Sequence, residues 1–306
     1  MDQNSIYFKQ VQLLIEVLPH VTMDKYFALK GGTAINLFVR DMPRLSVDID
    51  LMYLPVEPRE ESLKNIARIF EEMAQIIEKN IRFTKVHRLQ QRGDGELSKL
   101  QVERKGVRIK IEASPVTRGT VKEPELMQNT PSVQDMFGFV STSVVHIDDL
   151  YAGKMCAALD RQHPRDFFDI RALLDNEGIS DNLMDVFIVY LISSNQPISK
   201  LLDPHLIDIS QVYEEQFIGM TTDPIELSVL ENTRKELIAI VNQKLKDKHK
   251  EFLMGFKKGN PNWNLLPFEN IKELPSVKWK QLNLERMDEE SKKLAIEKLE
   301  LVLYSL

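Results

Sequence analysis

The sequence predicts an α+β domain followed by a mostly α-helical one, and three observations carry that reading. Over residues 47–54, aspartates and apolar side chains alternate with the period of a strand. Over residues 82–113, three further strand-like runs are separated by the turn signals Gly93-Asp94-Gly95 and Lys105-Gly106. From residue 181 to the end the patterns are helical, broken at Pro197, Pro204, Pro224, Gly259-Asn260-Pro261, Pro267 and Pro275.

Taken in order, Ile6, Val11, Leu14, Ile15 and Leu18 recur at helical spacing and predict a helix over residues 5–18 that packs on the sheet. Residues 26–30, YFALK, read as a short buried strand that leads into Gly31-Gly32-Thr33. A short helix is expected over residues 33–39, ended by the Asp41-Met42-Pro43 turn. The strand at 47–54 follows. Side chains two apart on a strand share a face, so Asp48 and Asp50 project together while Val47, Ile49 and Leu51 face the other way.

Leu63, Ile66, Ile69, Phe70, Met73, Ile76 and Ile77 mark one face of a long helix over residues 57–79. Strands are expected at 82–90, 97–104 and 107–113. In the last, Val107, Ile109, Ile111 and Ala113 alternate with Arg108, Lys110, Glu112 and Ser114, which puts Glu112 on the polar face of a strand expected to neighbour the one carrying Asp48. A loop with Pro115, Gly119, Pro124 and Pro131 leads to a β-rich stretch at 138–147. Asp148 is the expected N-cap of a helix over 149–161 with Lys154 in its middle. After Gln162-His163-Pro164, a second helix carries Arg165, Asp166 and Asp169, with Pro164 in its first turn. Asn176-Glu177-Gly178 reads as a helix stop, and the domains are accordingly set at residues 1–178 and 179–306.

The 306 residues are 43% hydrophobic and 28% charged, enough for a substantial core in each of two domains. The formal charge of −6 argues against a generally basic nucleic-acid binder. The charge is unevenly spread, however: residues 79–122 hold twelve Lys and Arg against four Asp and Glu, a net of +8. A charge run is usually a solvated face, but this concentration on hairpin strands also suits a phosphate backbone, so an RNA acceptor is a candidate partner. The single cysteine, Cys156, cannot form an internal disulfide and reads as a small buried helix residue, compatible with the cytoplasm. The N-terminus lacks the basic start and apolar core of a signal peptide. The densest apolar run, residues 186–192, is far short of the roughly 20 residues of a spanning helix.

Two carboxylates side by side repel each other, and a divalent cation such as Mg²⁺ is what keeps both ionised at close range. A lone D-x-D is more often a solvated edge pair. Here a glycine turn precedes it and apolar neighbours hold the strand in place. Glycines let backbone N–H groups approach a phosphate closely, and the start of the following helix favours negative charge. Lys154 lies among Tyr151, Ala152, Ala157 and Ala158, so its face packs against protein and its ammonium needs an anion. Arg165, Asp166 and Asp169 form either a capping and ion-pair cluster or a working group in which Asp166 is a general base or organises Lys154. His163 reads as a loop residue.

LKGGTAINLF with RLSVDIDL resembles the first motif of polymerase-β-type nucleotidyltransferases, and more narrowly of the AbiEii/AbiGii toxin family that includes the MenT toxins. The resemblance continues through IKIEAS, DLYAGKMCAALDRQHPRDFFDIRALL, FLMGFKKGNPNWNLL and LPSVKWKQLNL, and so covers most of the chain. It implies a mixed sheet with flanking helices followed by a helical C-terminal domain. It also implies a nucleotidyltransferase toxin of a toxin–antitoxin system, often serving phage defence, with a cognate antitoxin as partner. MenT relatives use a nucleoside triphosphate to extend the 3′ end of tRNA. By that resemblance Gly31, Gly32 and Thr33 bind phosphate, Asp48 and Asp50 bind Mg²⁺ or Mn²⁺, Lys154 neutralises the triphosphate and Asp166 is catalytic. A third metal carboxylate at Glu112 follows from the wider superfamily. Two alternatives stand beside this: transfer to a protein acceptor such as the antitoxin, and nucleotide binding without turnover.

Overall fold

The alternating segments assemble into seven strands of one mixed sheet in the computed structural model, which describes residues 5–21, 26–90 and 96–304. The expected Gly93-Asp94-Gly95 turn lies outside the described residues. The strands are β1 (Phe27–Lys30), β2 (Asp48–Tyr53), β3 (Thr84–Gln90), β4 (Leu97–Arg104), β5 (Val107–Arg118), β6 (Glu125–Gln128) and β7 (Ser141–Val144). Their order across the sheet is β3-β4-β5-β2-β1-β7-β6. β2 runs antiparallel to β1 and parallel to β5. Parallel neighbours need a crossover, and the helix Arg59–Asn80 lies between β2 and β5 in the chain and packs on β3 and β4. The helix Ile6–Val17 packs on β5. Leu100, Val102, Ile109 and Ile111 are buried on one face of the hairpin strands, which leaves the other face to the polar residues of the alternation.

Several boundaries differ from the expectation for identifiable reasons. The helix after β1 begins at Gly31 and widens over Ile35–Val39, where the Arg40 N–H donates to the Ile35 carbonyl at 2.7 Å, a five-residue step. The stretch read as a loop from Pro115 holds the end of β5, the strand β6 and the helix Pro131–Phe137. Proline is tolerated in β5 because the pairing with β2 jumps from Leu51–Ala113 to Tyr53–Arg118, a bulge in which the Ser114 hydroxyl accepts from the N–H groups of Val116 and Thr117. Asp148 sits in the first turn of the helix Ile147–Arg161 and does not precede it as an N-cap.

The described chain forms two compact units, divided at His146/Ile147, with Gly219–Pro224 returning to the first. In the first, that return is fixed by the Leu45 N–H donating to the Met220 carbonyl at 2.8 Å and by a bridge between Arg44 and Thr221. The second is helical and centres on the helix Asp181–Ser193, buried on nearly every side through Leu183, Val186, Phe187, Ile188, Leu191 and Ile192. Among the described residues no helix is long and apolar enough to cross a membrane. Cys156, on Ile147–Arg161, keeps some residue surface, but its thiol is shielded enough for burial to push its pKa up.

Candidate active site

The register of the sheet arranges the first group of candidate residues. Asp50 on β2 stands opposite Lys30 on β1 and Glu112 on β5, and Asp48 stands opposite Lys110. Residues paired across strands share a face, so two cations flank the three carboxylates. Glu112 Oε2 lies 3.0 Å from Lys99 Nζ, its partner on β4. Among the described residues no three His, Cys, Asp or Glu side chains are grouped as a metal site, so the carboxylates gathered here are a pair with a third in register.

The glycine turn lies against this pair. Gly31 has φ +76°, and a Cβ there would meet Asp50 Oδ2 at 2.5 Å. A Cβ on Gly32 would meet Arg44 Nη2 at 2.7 Å and Ser46 Oγ at 3.0 Å. Gly31 therefore requires the absence of a side chain, and at Gly32 one would have to displace the tip of Arg44. Thr33 is buried, and its hydroxyl donates to the Asp48 carbonyl at 2.5 Å and lies 3.0 Å from Ser46 Oγ. The Thr33 side chain thus ties the turn to β2, and what it can offer a phosphate is its backbone. Asn36 adds a hydrogen bond from its amide to the Gly32 carbonyl at 2.9 Å.

Arg44 and Ser46 were not singled out in the sequence. The only signal was spacing: Arg44 and Ser46 extend the two-residue step of Asp48 and Asp50 backwards, although β2 itself begins at Asp48. Both are buried under Gly32, where they form the floor of the turn.

The second group belongs to the helical unit. Lys154 lies on Ile147–Arg161, and Asp166 and Asp169 lie one turn apart on the helix Pro164–Asp175. Lys154 Nζ is 3.0 Å from Asp166 Oδ1 and 2.9 Å from Asp169 Oδ2, and all three side chains are at most 6% exposed. Arg161, 62% exposed, closes on Asp166 from outside with Nε 2.6 Å from Oδ2 and Nη2 2.8 Å from Oδ1. Burial alone would push the Asp166 carboxyl up, but Lys154 and Arg161 outweigh it and hold the group well below the usual carboxylate range. A carboxylate held that low is a poor general base and a good anchor. The ion-pair cluster named in the sequence is present, and within it Asp166 sits beside Lys154, a position that suits an organiser of that lysine.

His163 is the N-cap of that helix, with Nδ1 accepting from the Arg165 N–H at 3.1 Å, so capping falls to it rather than to the Asp166 cluster. The turn before it is pinned by Gln162, whose side chain donates to the His205 carbonyl at 2.7 Å and accepts from Arg234 at 3.0 Å.

The donor set of the first group suits a hard divalent cation. Asp48 and Asp50 offer hard oxygens on one partly exposed face, and the room that a Cβ on Gly31 would take is kept open beside Asp50.

A family model described as nucleotidyl transferase AbiEii toxin, type IV toxin–antitoxin system, matches residues 12–281. Among solved structures the chain resembles MenT4, a nucleotidyltransferase toxin from Mycobacterium tuberculosis H37Rv, with a TM-score of 0.60 at 15% identity. That alignment covers 97% of this chain and 92% of the other, a likeness of fold. No curated protein matches the chain in sequence.

Proposed function

The chain belongs to the AbiEii family of nucleotidyltransferase toxins of type IV toxin–antitoxin systems, and from that premise we propose that it moves nucleotides from a nucleoside triphosphate to an RNA acceptor, the 3′ end of tRNA. The observation that carries the reading is the Asp48–Asp50 face of β2, closed on one side by the Gly31-Gly32 turn, in a unit whose hairpin strands carry the basic excess of residues 79–122.

In this reading the backbone of Gly31, Gly32 and Thr33, opening a helix, receives phosphate oxygens. Asp48 and Asp50 would hold Mg²⁺ or Mn²⁺, with Glu112 as the third carboxylate. A divalent cation held there supplies positive charge to the phosphoryl oxygens as the displacement proceeds. The acceptor 3′ oxygen bonds to the α-phosphorus, the bond to the β-phosphate bridge breaks and pyrophosphate leaves, with the hydroxyl proton passing to solvent. Lys154 neutralises phosphate charge. Asp166 and Asp169 fix its ammonium in place, which makes Asp166 a positioning residue. The functional segment is then residues 1–178, completed by the helical remainder, and the antitoxin is the protein partner.

Incubation with tRNA, Mg²⁺ and each of the four radiolabelled triphosphates tests the reading. Transfer of label to the RNA 3′ end is expected, and it should vanish with Asp48→Ala/Asp50→Ala. Label on a polypeptide would instead select a protein acceptor, and none on either would refute transfer to RNA.

A further inference from the structure

A second feature of the sheet unit lies outside the carboxylate face. A groove of about 820 Å³ opens between the helix Ile6–Val17, the end of Arg59–Asn80 and the β4–β5 turn. That volume falls in the range of ligand-binding clefts. Its rim carries Lys9, Arg82, Arg104 and Lys105 against one carboxylate, Glu16. Arg104 and Glu16 neutralise each other through a two-pronged ion pair. Among the described residues no carboxylate lies within ion-pair distance of Lys9, Arg82 or Lys105, so the groove keeps a positive excess.

Phe83 stands on the same rim, 81% exposed. Its φ of +62° is a left-handed backbone state that a bulky residue adopts only at a cost, so the chain holds an apolar ring in water in a strained conformation. Lys105 Nζ lies 5.8 Å from the ring centroid. Lys105 itself has φ +51° and Gly106 +81°, as a two-residue hairpin turn between β4 and β5 requires, which sets the Lys105 backbone beside Phe83.

We infer that this groove docks a single strand of RNA, with a base stacked on Phe83 and its phosphates on Lys9, Arg82 and Lys105. The inference rests on the RNA-acceptor reading above and names where the strand lies. Cations alone would serve an acidic peptide equally well. An exposed aromatic face set among unpaired cations is a stacking platform, which favours nucleic acid. The groove also lies at the appropriate end of the sheet. Val107 lines it and begins β5, and Lys110, three residues on, is the cross-strand partner of Asp48. At about 3.3 Å per residue Lys110 is about 10 Å along β5, on the face opposite Val107, so a strand lying in the groove passes round the end of the sheet to reach the carboxylates.

The test measures equilibrium binding of a fluorescent single-stranded RNA of about a dozen nucleotides to the full chain with Asp48→Ala/Asp50→Ala, so that no turnover intervenes. Phe83→Ala is expected to weaken binding about tenfold with little change in its salt dependence. Arg82→Glu/Lys105→Glu should weaken it and lower the salt slope by about two. Phe83→Trp should keep the affinity, with its indole fluorescence quenched by bound RNA.

Unchanged affinity in the Phe83→Ala and Arg82→Glu/Lys105→Glu proteins would overturn the groove while leaving RNA transfer by the wild type intact. An acidic peptide that binds the groove when RNA does not would also overturn it. RNA bound through Phe83, with label passing only to a polypeptide, would support the groove and remove the acceptor reading instead.

Discussion

A Cβ on Gly31 would stand 2.5 Å from Oδ2 of Asp50, so the glycine turn and the carboxylate strand are shaped to each other. Gly31→Ala has two faults, the clash and the +76° φ, and should cost about 1–3 kcal/mol of strain. Label transfer should fall more than its stability, because the atom displaced is a carboxylate oxygen of the proposed cation pair. Gly32→Ala presses on the tip of Arg44 and on Ser46, both buried, and should reduce transfer to a smaller extent than Gly31→Ala. Single-turnover transfer beside thermal melting checks both; full activity in Gly31→Ala would show that the contact is dispensable.

Asp48→Asn and Asp50→Asn separate catalysis from stability in the opposite direction. Each relieves repulsion within the pair, so melting should hold or rise while transfer drops by about a hundredfold or more, the scale of losing one charge-stabilising group. Glu112→Gln breaks the half-exposed pair with Lys99, worth about 0–1 kcal/mol. Transfer by this variant decides whether Glu112 is a third ligand: a loss comparable to Asp50→Asn makes it one, and near-normal rates make it a partner of Lys99 alone.

The part of this site legible in the sequence is the part governed by short periods. Two-residue alternation placed Asp48, Asp50 and Glu112 on their faces, and β5 does neighbour β2 with Glu112 opposite Asp50. Pairing at long range has no local signature: β1 meets β7 through Leu29 and Val144 across more than a hundred residues. Pro115 hid the continuation of β5 because a proline argues against a strand unless a bulge accommodates it. Arg161 stands in the last turn of its helix, where a cation is ordinary, so its grip on Asp166 has no local signal and appears only once Pro164–Asp175 folds back.

Lys154→Met would leave Asp166 and Asp169 buried without their central cation, and breaking such a pair costs about 3–5 kcal/mol. Arg161 still covers Asp166, so part of that carboxylate's charge stays compensated. The triple change Lys154→Met/Asp166→Asn/Asp169→Asn removes the charges together and should recover much of the stability without recovering transfer. Melting temperatures and transfer rates of the two proteins test this. Transfer returning with stability would show that Lys154 serves the fold alone.

Acidification should weaken the fold through two histidines. His249 is buried, and burial lowers its pKa more than the neighbouring Asp185, whose Oδ1 lies 2.7 Å from Nε2, raises it. Its Nδ1 accepts from the Lys246 N–H at 3.2 Å, so the ring is neutral with its proton on Nε2. Burial likewise lowers His163, helped by Arg165, and its Nδ1 must stay unprotonated to cap the helix.

A histidine whose folded pKa is lowered binds fewer protons folded than unfolded. Stability is therefore full above the ordinary value of about 6.5 and falls as pH drops through it. Asp166, also lowered, keeps its contribution until far more acidic conditions and adds no slope in this window. Urea unfolding at about pH 7.5 and about pH 5.5 should show the loss in the wild type. His163→Asn keeps a capping side chain and His249→Gln keeps a donor toward Asp185, yet neither takes up a proton there. The double variant should lose most of the difference between the two pH values, and an undiminished difference would place the acid sensitivity elsewhere in the chain.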